Sequence, residues 1–185
     1  MPTPTDAKAP LPQGRSKPEG KGADFTLVNV DGQPFTLSRV ARPVILTFFF
    51  TACQRGCGSV VDQALALSRR LAASPGTPPP ILVGVSVAPE ADTRKELARF
   101  QGEHRAGPGE AVFLTGSPGA LARVCRDYSV AVGRNTKGAR VHAEVTLLLD
   151  AWLGLVARYD GPGIDDVLLE RDISETIRRS SRRAP

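Results

Sequence analysis

Two cysteines four positions apart are the residues of this chain best suited to chemistry. Cys53 and Cys57 directly follow the apolar run Pro43–Phe50. If a helix begins near Cys53, this spacing places both sulfurs on one helix face, within reach of each other or of a shared metal. A helix N-terminus and the intervening Arg55 both favour the thiolate, which binds metals and acts as a nucleophile. The alternative interpretation is a pair of small buried hydrophobic residues, since free cysteine is often buried.

Few other side chains are available as partners, because the chain has two histidines and one further cysteine. His142 opens the predicted strand Val141–Leu149; a histidine there can ligate a metal, although such a residue more often has a structural role. His104, among charged residues near a predicted helix end, is expected on the solvated surface. Cys125 falls in the apolar stripe of a predicted helix and is expected in the core, where a third thiol can still compete for metal or oxidant.

Alternating strand and helix patterns must position these side chains. Two almost wholly apolar runs predict strands buried on both faces, and an Asp-Gly pair predicts a hairpin turn near the N-terminus. Strands are predicted over Phe25–Val30, Pro34–Leu37, Pro43–Phe50, Ile81–Val87, Val112–Leu114, Val141–Leu149 and Trp152–Tyr159. Helices are predicted over Gly58–Ala73, from Thr93 onward, from Pro118 to Tyr128 and over Asp165–Arg179. This order predicts an α/β fold with a mixed β-sheet, helices on both faces and an N-terminal β-hairpin.

Composition divides the chain into three parts. Residues 1–22 are rich in proline and glycine and predict a flexible linker, residues 23–177 form one domain, and residues 178–185 are a basic tail. The net charge of +5 is concentrated at the two ends, so the near-neutral body argues against nucleic-acid binding. No run reaches the roughly 18 apolar residues of a membrane span, and no signal-peptide core is present. The protein is therefore expected in the cytoplasm if Met1 is the native start, or with its signal or anchor outside this chain.

Three segments resemble the Sco/SenC family. Thr51-Ala52-Cys53 with Cys57, after an apolar strand, resembles the family's CxxxC motif, which differs from the CxxC of thioredoxin. Val85–Thr93 (VSVAPEADT) is similar to its second-strand segment, and Val141-His142, before the Leu148-Leu149-Asp150 strand end, matches its metal-binding histidine. The resemblance extends from about Asp24 to Ile177.

The resemblance implies a thioredoxin-like fold that binds copper through Cys53, Cys57 and His142. It also implies a role in copper-site assembly in cytochrome oxidase, with a copper-receiving oxidase subunit or another thiol protein as partner, and a periplasmic or membrane-anchored location. Two thiolates and an imidazole suit Cu(I), and the same dithiol can cycle with a disulfide. The predicted loop between Gly133 and Arg140 is expected to move His142 toward or away from the thiolates.

Two departures from the family pattern make the site more positive. The residues between the cysteines are Gln54-Arg55-Gly56 where the family usually has Pro-Asp-x, and Ala88 stands where an aspartate is common. Fewer carboxylates and an added cation are expected to weaken the binding of a metal ion.

The main alternative is an enzyme, either a thiol–disulfide oxidoreductase or a peroxiredoxin-like reductase, with Cys53 and Cys57 as its catalytic redox pair. Thioredoxin-type reductases usually carry a cis-proline opposite the dithiol. This chain has no proline between Pro118 and Pro162, and His142 opens the strand where that residue is expected. A third alternative, a divergent module that only binds a partner, is disfavoured because all three candidate ligands are present.

Overall fold

In the computed structural model, residues 14–53, 57–72 and 78–183 are described, with side chains for all of these except Cys57 and residues 180–183. The strands are β1 Gly14–Ser16, β2 Thr26–Asn29, β3 Pro34–Thr36, β4 Val44–Phe49, β5 Ile81–Ser86, β6 Ala111–Thr115, β7 Val132–Arg134, β8 Arg140–His142, β9 Val145–Leu149 and β10 Leu155–Asp160. The helices are α1 Cys57–Ala72, α2 Arg94–Glu103, α3 Pro118–Asp127 and α4 Asp166–Arg183, with a 3-10 turn at Leu37–Arg39.

Eight of these strands form one mixed sheet in the order β1-β10-β9-β4-β5-β6-β2-β3. The centre is parallel, because β5 pairs in parallel with both β4 and β6. β9 runs antiparallel to β4 on its other side. The carboxyl end of β4 and the amino end of β9 therefore meet at one edge of the sheet, which brings Cys53 and His142 to the same side of the molecule.

Strand β4 shows why both faces of the sheet are covered. Its side chains alternate between two apolar clusters: Val44, Leu46 and Phe48 join one, and Ile45 and Phe49 join the other. The first cluster includes the buried stripe of α3, and the second includes the buried stripes of α1, α2 and α4. The predicted mixed sheet with helices on both faces is confirmed, as is the N-terminal hairpin of β2 and β3.

The predicted strand Val141–Leu149 is in fact two strands in two sheets. Arg140–His142 pairs with Val132–Arg134 in a separate two-stranded sheet, while Val145–Leu149 lies in the main one. Residues 133–140, predicted as a loop, are thus largely the hairpin β7–β8. All three residues of β7 are exposed, so this segment lacks the half-buried alternation from which strands are recognised.

The domain extends further at both ends than the composition predicted. Within the predicted linker, β1 pairs with β10. Arg15 donates two hydrogen bonds, of 2.5 and 2.8 Å, to the buried carboxylate of Asp172, which also accepts one from Tyr159. Burial opposes ionisation of Asp172, but these bonds outweigh it and lower the pKa of Asp172. Residues 1–13 lie outside the described residues.

At the other end, α4 continues to Arg183 through much of the predicted basic tail. Its last turns have no apolar period, but Glu175 forms ion pairs with Arg178 and Arg179 at helical spacing. Such pairs support an exposed helical turn without burial.

Strand β10 begins later than predicted because the Asp150 side chain stabilises a turn that extends to Gly154. Its carboxylate accepts hydrogen bonds from the backbone N–H groups of Trp152 and Gly154. Trp152 therefore lies in the turn, 45% exposed. In the part of the chain that the structure describes, no helix is long and apolar enough to cross a membrane.

Candidate metal centre

The segment after β4 forms the first part of the site. The backbone N–H of Cys53 donates to the carbonyl of Phe50 at 3.0 Å, which turns the chain at the end of the strand. Cys53 is half-buried and packs against the apolar cluster beneath α1. Within the described residues, helix α1 begins at Cys57 and Cys53 lies outside any helix. The cysteine pair thus follows strand β4 as predicted, but the condition for placing both sulfurs on one helix face, a helix that begins near Cys53, is not met.

A buried carboxylate, that of Asp92, holds the turn between Phe50 and Cys53 in place. Asp92 is 1% exposed, and its Oδ1 accepts from the Thr51 N–H at 3.1 Å and the Thr51 hydroxyl at 2.6 Å. Its Oδ2 accepts from the Ser86 hydroxyl at the end of β5, also at 2.6 Å. Because buried carboxylates are stable only when such donors surround them, Asp92 ties the turn before Cys53 to the neighbouring strand.

His142 ends β8 and approaches the same turn from the opposite side. Its ring meets the ring of Phe50 edge-on, with centroids 5.6 Å apart. Nδ1 lies 2.8 Å from the carbonyl of Ala143, and since a carbonyl only accepts, Nδ1 carries the proton. Nε2 therefore carries the lone pair of the neutral ring. Burial lowers the pKa of His142, although the bond to Ala143 opposes this effect.

Cys53 and His142 line one cleft of about 640 Å³. The cleft has two sides, which we call the thiol wall (Phe50–Cys53) and the hairpin wall (residues 132–142, comprising β7, β8 and their turn). Phe50 contacts both candidate ligands. The side chain of Cys57, and all of Gln54, Arg55 and Gly56, lie outside the described residues. Among the described side chains, no three His, Cys, Asp or Glu groups are placed to hold one metal ion.

The cysteines are in different states. Cys53 is disulfide-bonded, whereas Cys125 is a free, buried thiol. Cys125 lies in the apolar cluster under α3, as predicted, and does not line the cleft. Burial raises the pKa of its thiol to about 11, which keeps it protonated and unreactive at neutral pH. The pairing of Cys53 with Cys57 stays a prediction.

Three features of the site were not anticipated from the sequence. One is the hydrogen-bonding role of Asp92. Another is Glu90, whose carboxylate lies against Arg140 and 3.5 Å from Arg134, and so ties the hairpin wall to the loop after β5. Arg140 also donates to the carbonyl of Val87 at 3.0 Å. The acidic residues in VSVAPEADT and the basic residues in the hairpin could have suggested an ion pair between the two segments. Nothing in the sequence, however, showed that these segments meet.

The third feature is His104, for which the prediction of a solvated surface residue is wrong. Its side chain is only 16% exposed, and Nδ1 lies 2.7 Å from the Asp62 carboxylate. Its ring packs on Phe100, with centroids 4.4 Å apart, and against Gly58, where an added Cβ would come within 3.0 Å of Cε1. His104 therefore supports the first turn of α1 from outside the cleft.

The position of Ala88 bears on the family departures noted above. Ala88 is buried and lines the cleft, so its methyl group occupies a wall position where a carboxylate would face the site. The cleft lining still contains two carboxylates, those of Glu90 and Glu144.

Comparison with known proteins agrees with this geometry. The family model of SCO1/SenC matches residues 13–177, which is nearly the whole described domain and includes every candidate ligand. The chain belongs to the SCO1/SenC family. The predicted resemblance is thereby confirmed.

Individual relatives of this SCO1/SenC chain are distant in sequence. The mitochondrial SCO2 homolog of Bos taurus is 34% identical over 87 residues, covering 47% of this chain and 32% of the relative. The chain thus matches about a third of the length of that curated relative. Arabidopsis thaliana ScoI with copper bound has a TM-score of 0.75 at 26% identity, covering 86% of this chain and 99% of that one.

A second solved structure shares the fold. BsSco, described as a member of the Sco family of cytochrome c oxidase assembly proteins with a disulfide switch, has a TM-score of 0.72 at 20% identity. It covers 88% of this chain and 96% of that one. The predicted thioredoxin-like architecture is confirmed by these matches.

Proposed function

We propose that this SCO1/SenC chain binds Cu(I) through Cys53, Cys57 and His142 and carries it as cargo for assembly of a cytochrome oxidase copper site. The observation that carries the proposal is that Cys53 and His142, 89 positions apart in the sequence, line one cleft and share Phe50 as a neighbour. The copper bound to Arabidopsis thaliana ScoI and the family of BsSco support the choice of metal and pathway.

The donor set fits Cu(I). Thiolate sulfur and imidazole nitrogen are ligands that soft Cu(I) accepts. The Ala143 carbonyl fixes the His142 tautomer, because it accepts from Nδ1 and leaves the lone pair on Nε2. A hydrogen bond on the second ring nitrogen is the usual support of a ligating histidine.

Copper binding requires reduction of the disulfide at Cys53, because only thiolates ligate the metal. Reduction breaks one S–S bond and adds two electrons and two protons, which gives two thiols. A dithiol that closes its own disulfide can supply them before copper enters. The recipient oxidase subunit, and a location outside the cytoplasm with the anchor beyond this chain, belong to the same proposal.

A second candidate function is the thiol–disulfide oxidoreductase, favoured by the oxidised state of Cys53. It requires the same cysteine pair but gives His142 no ligand role. The two functions therefore differ in what the loss of His142 changes.

Anaerobic Cu(I) competition titration of the reduced protein tests the proposal. His142→Ala is expected to lower Cu(I) affinity by about 10–100-fold, scaled from the effect of removing groups that support a metal site. Cys53→Ser is expected to abolish stoichiometric binding, and His104→Ala serves as the control because His104 lies outside the cleft. Parent-like affinity in His142→Ala would exclude the three-ligand site and leave the oxidoreductase as the better account.

A further inference from the structure

The hairpin wall determines what kind of partner can reach the cleft. Six of the lining residues come from it: Arg134, Asn135, Ala139, Arg140, Val141 and His142. The hairpin is therefore a large part of the surface beside Cys53 that a partner exchanging copper or electrons would meet. Val141 is 43% exposed and offers it an apolar contact.

The charge of the hairpin wall is of one sign. Residues 132–142 contain Arg134, Lys137 and Arg140 and no carboxylate. Arg134 and Arg140 both form ion pairs with Glu90, and Glu144 also lines the cleft. The three cations of the hairpin therefore exceed the two carboxylates of the cleft lining by one charge. The side chain of Arg134 remains 59% exposed, and Lys137 is exposed at the hairpin turn.

From this arrangement we infer that the hairpin wall is a docking surface for an acidic, thiol-bearing segment of a partner protein. The inference rests on the proposed function, because it names the partner class of the same cleft. Carboxylates on the partner would pair with Arg134 and Lys137 while its thiol enters beside Cys53. Complementary charge around a reacting site speeds encounter, and salt removes the advantage.

Thiol–disulfide exchange with synthetic dithiol peptides tests the inference without copper. One peptide thiolate attacks a sulfur of the Cys53 disulfide, and the S–S bond breaks to give a mixed disulfide. The second peptide thiolate then closes the peptide disulfide and releases the protein as a dithiol, so two electrons pass from peptide to protein. The probes are two peptides of equal length and cysteine spacing, one flanked by aspartates and one by lysines.

The aspartate peptide is expected to reduce the parent about tenfold faster than the lysine peptide at about 20 mM salt, with the difference disappearing near 0.5 M as charges are screened. Arg134→Glu with Lys137→Glu is expected to reverse the preference. The control, Arg39→Glu with Arg123→Glu, changes net charge equally at exposed positions outside the cleft and is expected to keep it.

Equal rates for the two peptides with the parent, whether fast or slow, would overturn the inference, as would a preference that the control pair also abolishes. The inference would also be overturned if the parent shows no peptide preference but binds phosphatidylserine vesicles, and the hairpin variant does not bind them. The hairpin would then be a membrane-binding surface. Failure of Cu(I) binding in the titration above would refute the copper proposal, while the copper-free exchange rates would still decide the docking surface.

Discussion

Each wall of the cleft carries one of the two candidate ligands whose side chains are described, Cys53 or His142, and the two walls are built differently. On the thiol wall, the turn that leads to Cys53 is held by the buried Asp92, which accepts hydrogen bonds from three donor groups, the N–H and hydroxyl of Thr51 and the hydroxyl of Ser86, at 2.6–3.3 Å. On the hairpin wall, β8 is tied to the loop after β5 by the bond from Arg140 to the Val87 carbonyl and by ion pairs with Glu90, whose side chain is 50% exposed. Phe50, on the thiol wall, contacts the His142 ring across the cleft.

This difference indicates that Cys53 is held in a fixed position, whereas His142 can change position with the hairpin. Buried hydrogen bonds to a charged group are costly to break, whereas exposed ion pairs contribute little and are screened by salt. The turn before Cys53 should therefore keep its shape while the hairpin opens locally. A cleft with one fixed wall and one movable wall can admit a partner without unfolding the thiol side.

The largest effect is expected on the thiol wall. Asp92→Ala leaves the Thr51 N–H without its acceptor and should lower the free energy of unfolding by about 1–3 kcal/mol, or about 2–4 °C in Tm per kcal/mol for a domain of this size. Asp92→Asn should cost less, because the Thr51 and Ser86 hydroxyls can rotate to suit an amide. Thermal unfolding followed by circular dichroism measures both.

Asp31→Ala provides the matched control, since Asp31 is exposed in the β2–β3 turn and its removal should change Tm little. If Asp92→Ala unfolds at the temperature of this control, Asp92 does not anchor the thiol wall and the contrast between the walls is lost.

The smallest effect is expected on the hairpin wall. Glu90→Gln removes a partly exposed pair and should lower stability by no more than about 1 kcal/mol. Its effect should instead be local: hydrogen exchange at the amides of Asn135 and Ala143, which bond across the hairpin, should speed up by about fivefold or less. Added salt should reproduce part of this change in the parent.

Glu170→Gln, which removes the exposed pair with Arg70, serves as the control and should leave these amides unchanged. If the hydrogen-exchange rates of Asn135 and Ala143 change neither in Glu90→Gln nor with added salt, the hairpin is held by other contacts.

Much of the scaffold could be predicted from the sequence because local patterns dominate it. The runs that became β4 and β5 are apolar throughout, since both faces of the central sheet are buried. A helix was predicted from Thr93 onward, and the Thr93 side chain indeed caps α2 by accepting a hydrogen bond from the Glu96 N–H. That the cysteine pair and His142 come together was predicted from the resemblance to the Sco/SenC family, in the segments that contain Cys53, Cys57 and His142.

What could not be predicted depends on contacts between distant segments. The segment VSVAPEADT was compared only with a family segment, and Thr51 and Asp92 are 41 positions apart, so the buried bonds between them had no local sequence signal. β7 has the sequence Val-Gly-Arg, exposed throughout, and carries neither strand nor helix period. His104 stands among charged residues, and only the packing of α2 beside α1 places its ring on Phe100 and Gly58.

The central claim is that His142 completes a copper site with the cysteines, and X-ray absorption of the Cu(I)-loaded, reduced protein tests it most directly. The chain has two histidines, so an imidazole signal must come from His142 or His104. The account predicts two sulfur neighbours and one imidazole nitrogen in the parent and in His104→Ala, and loss of that nitrogen in His142→Ala. An imidazole that persists in His142→Ala, or disappears in His104→Ala, would contradict it.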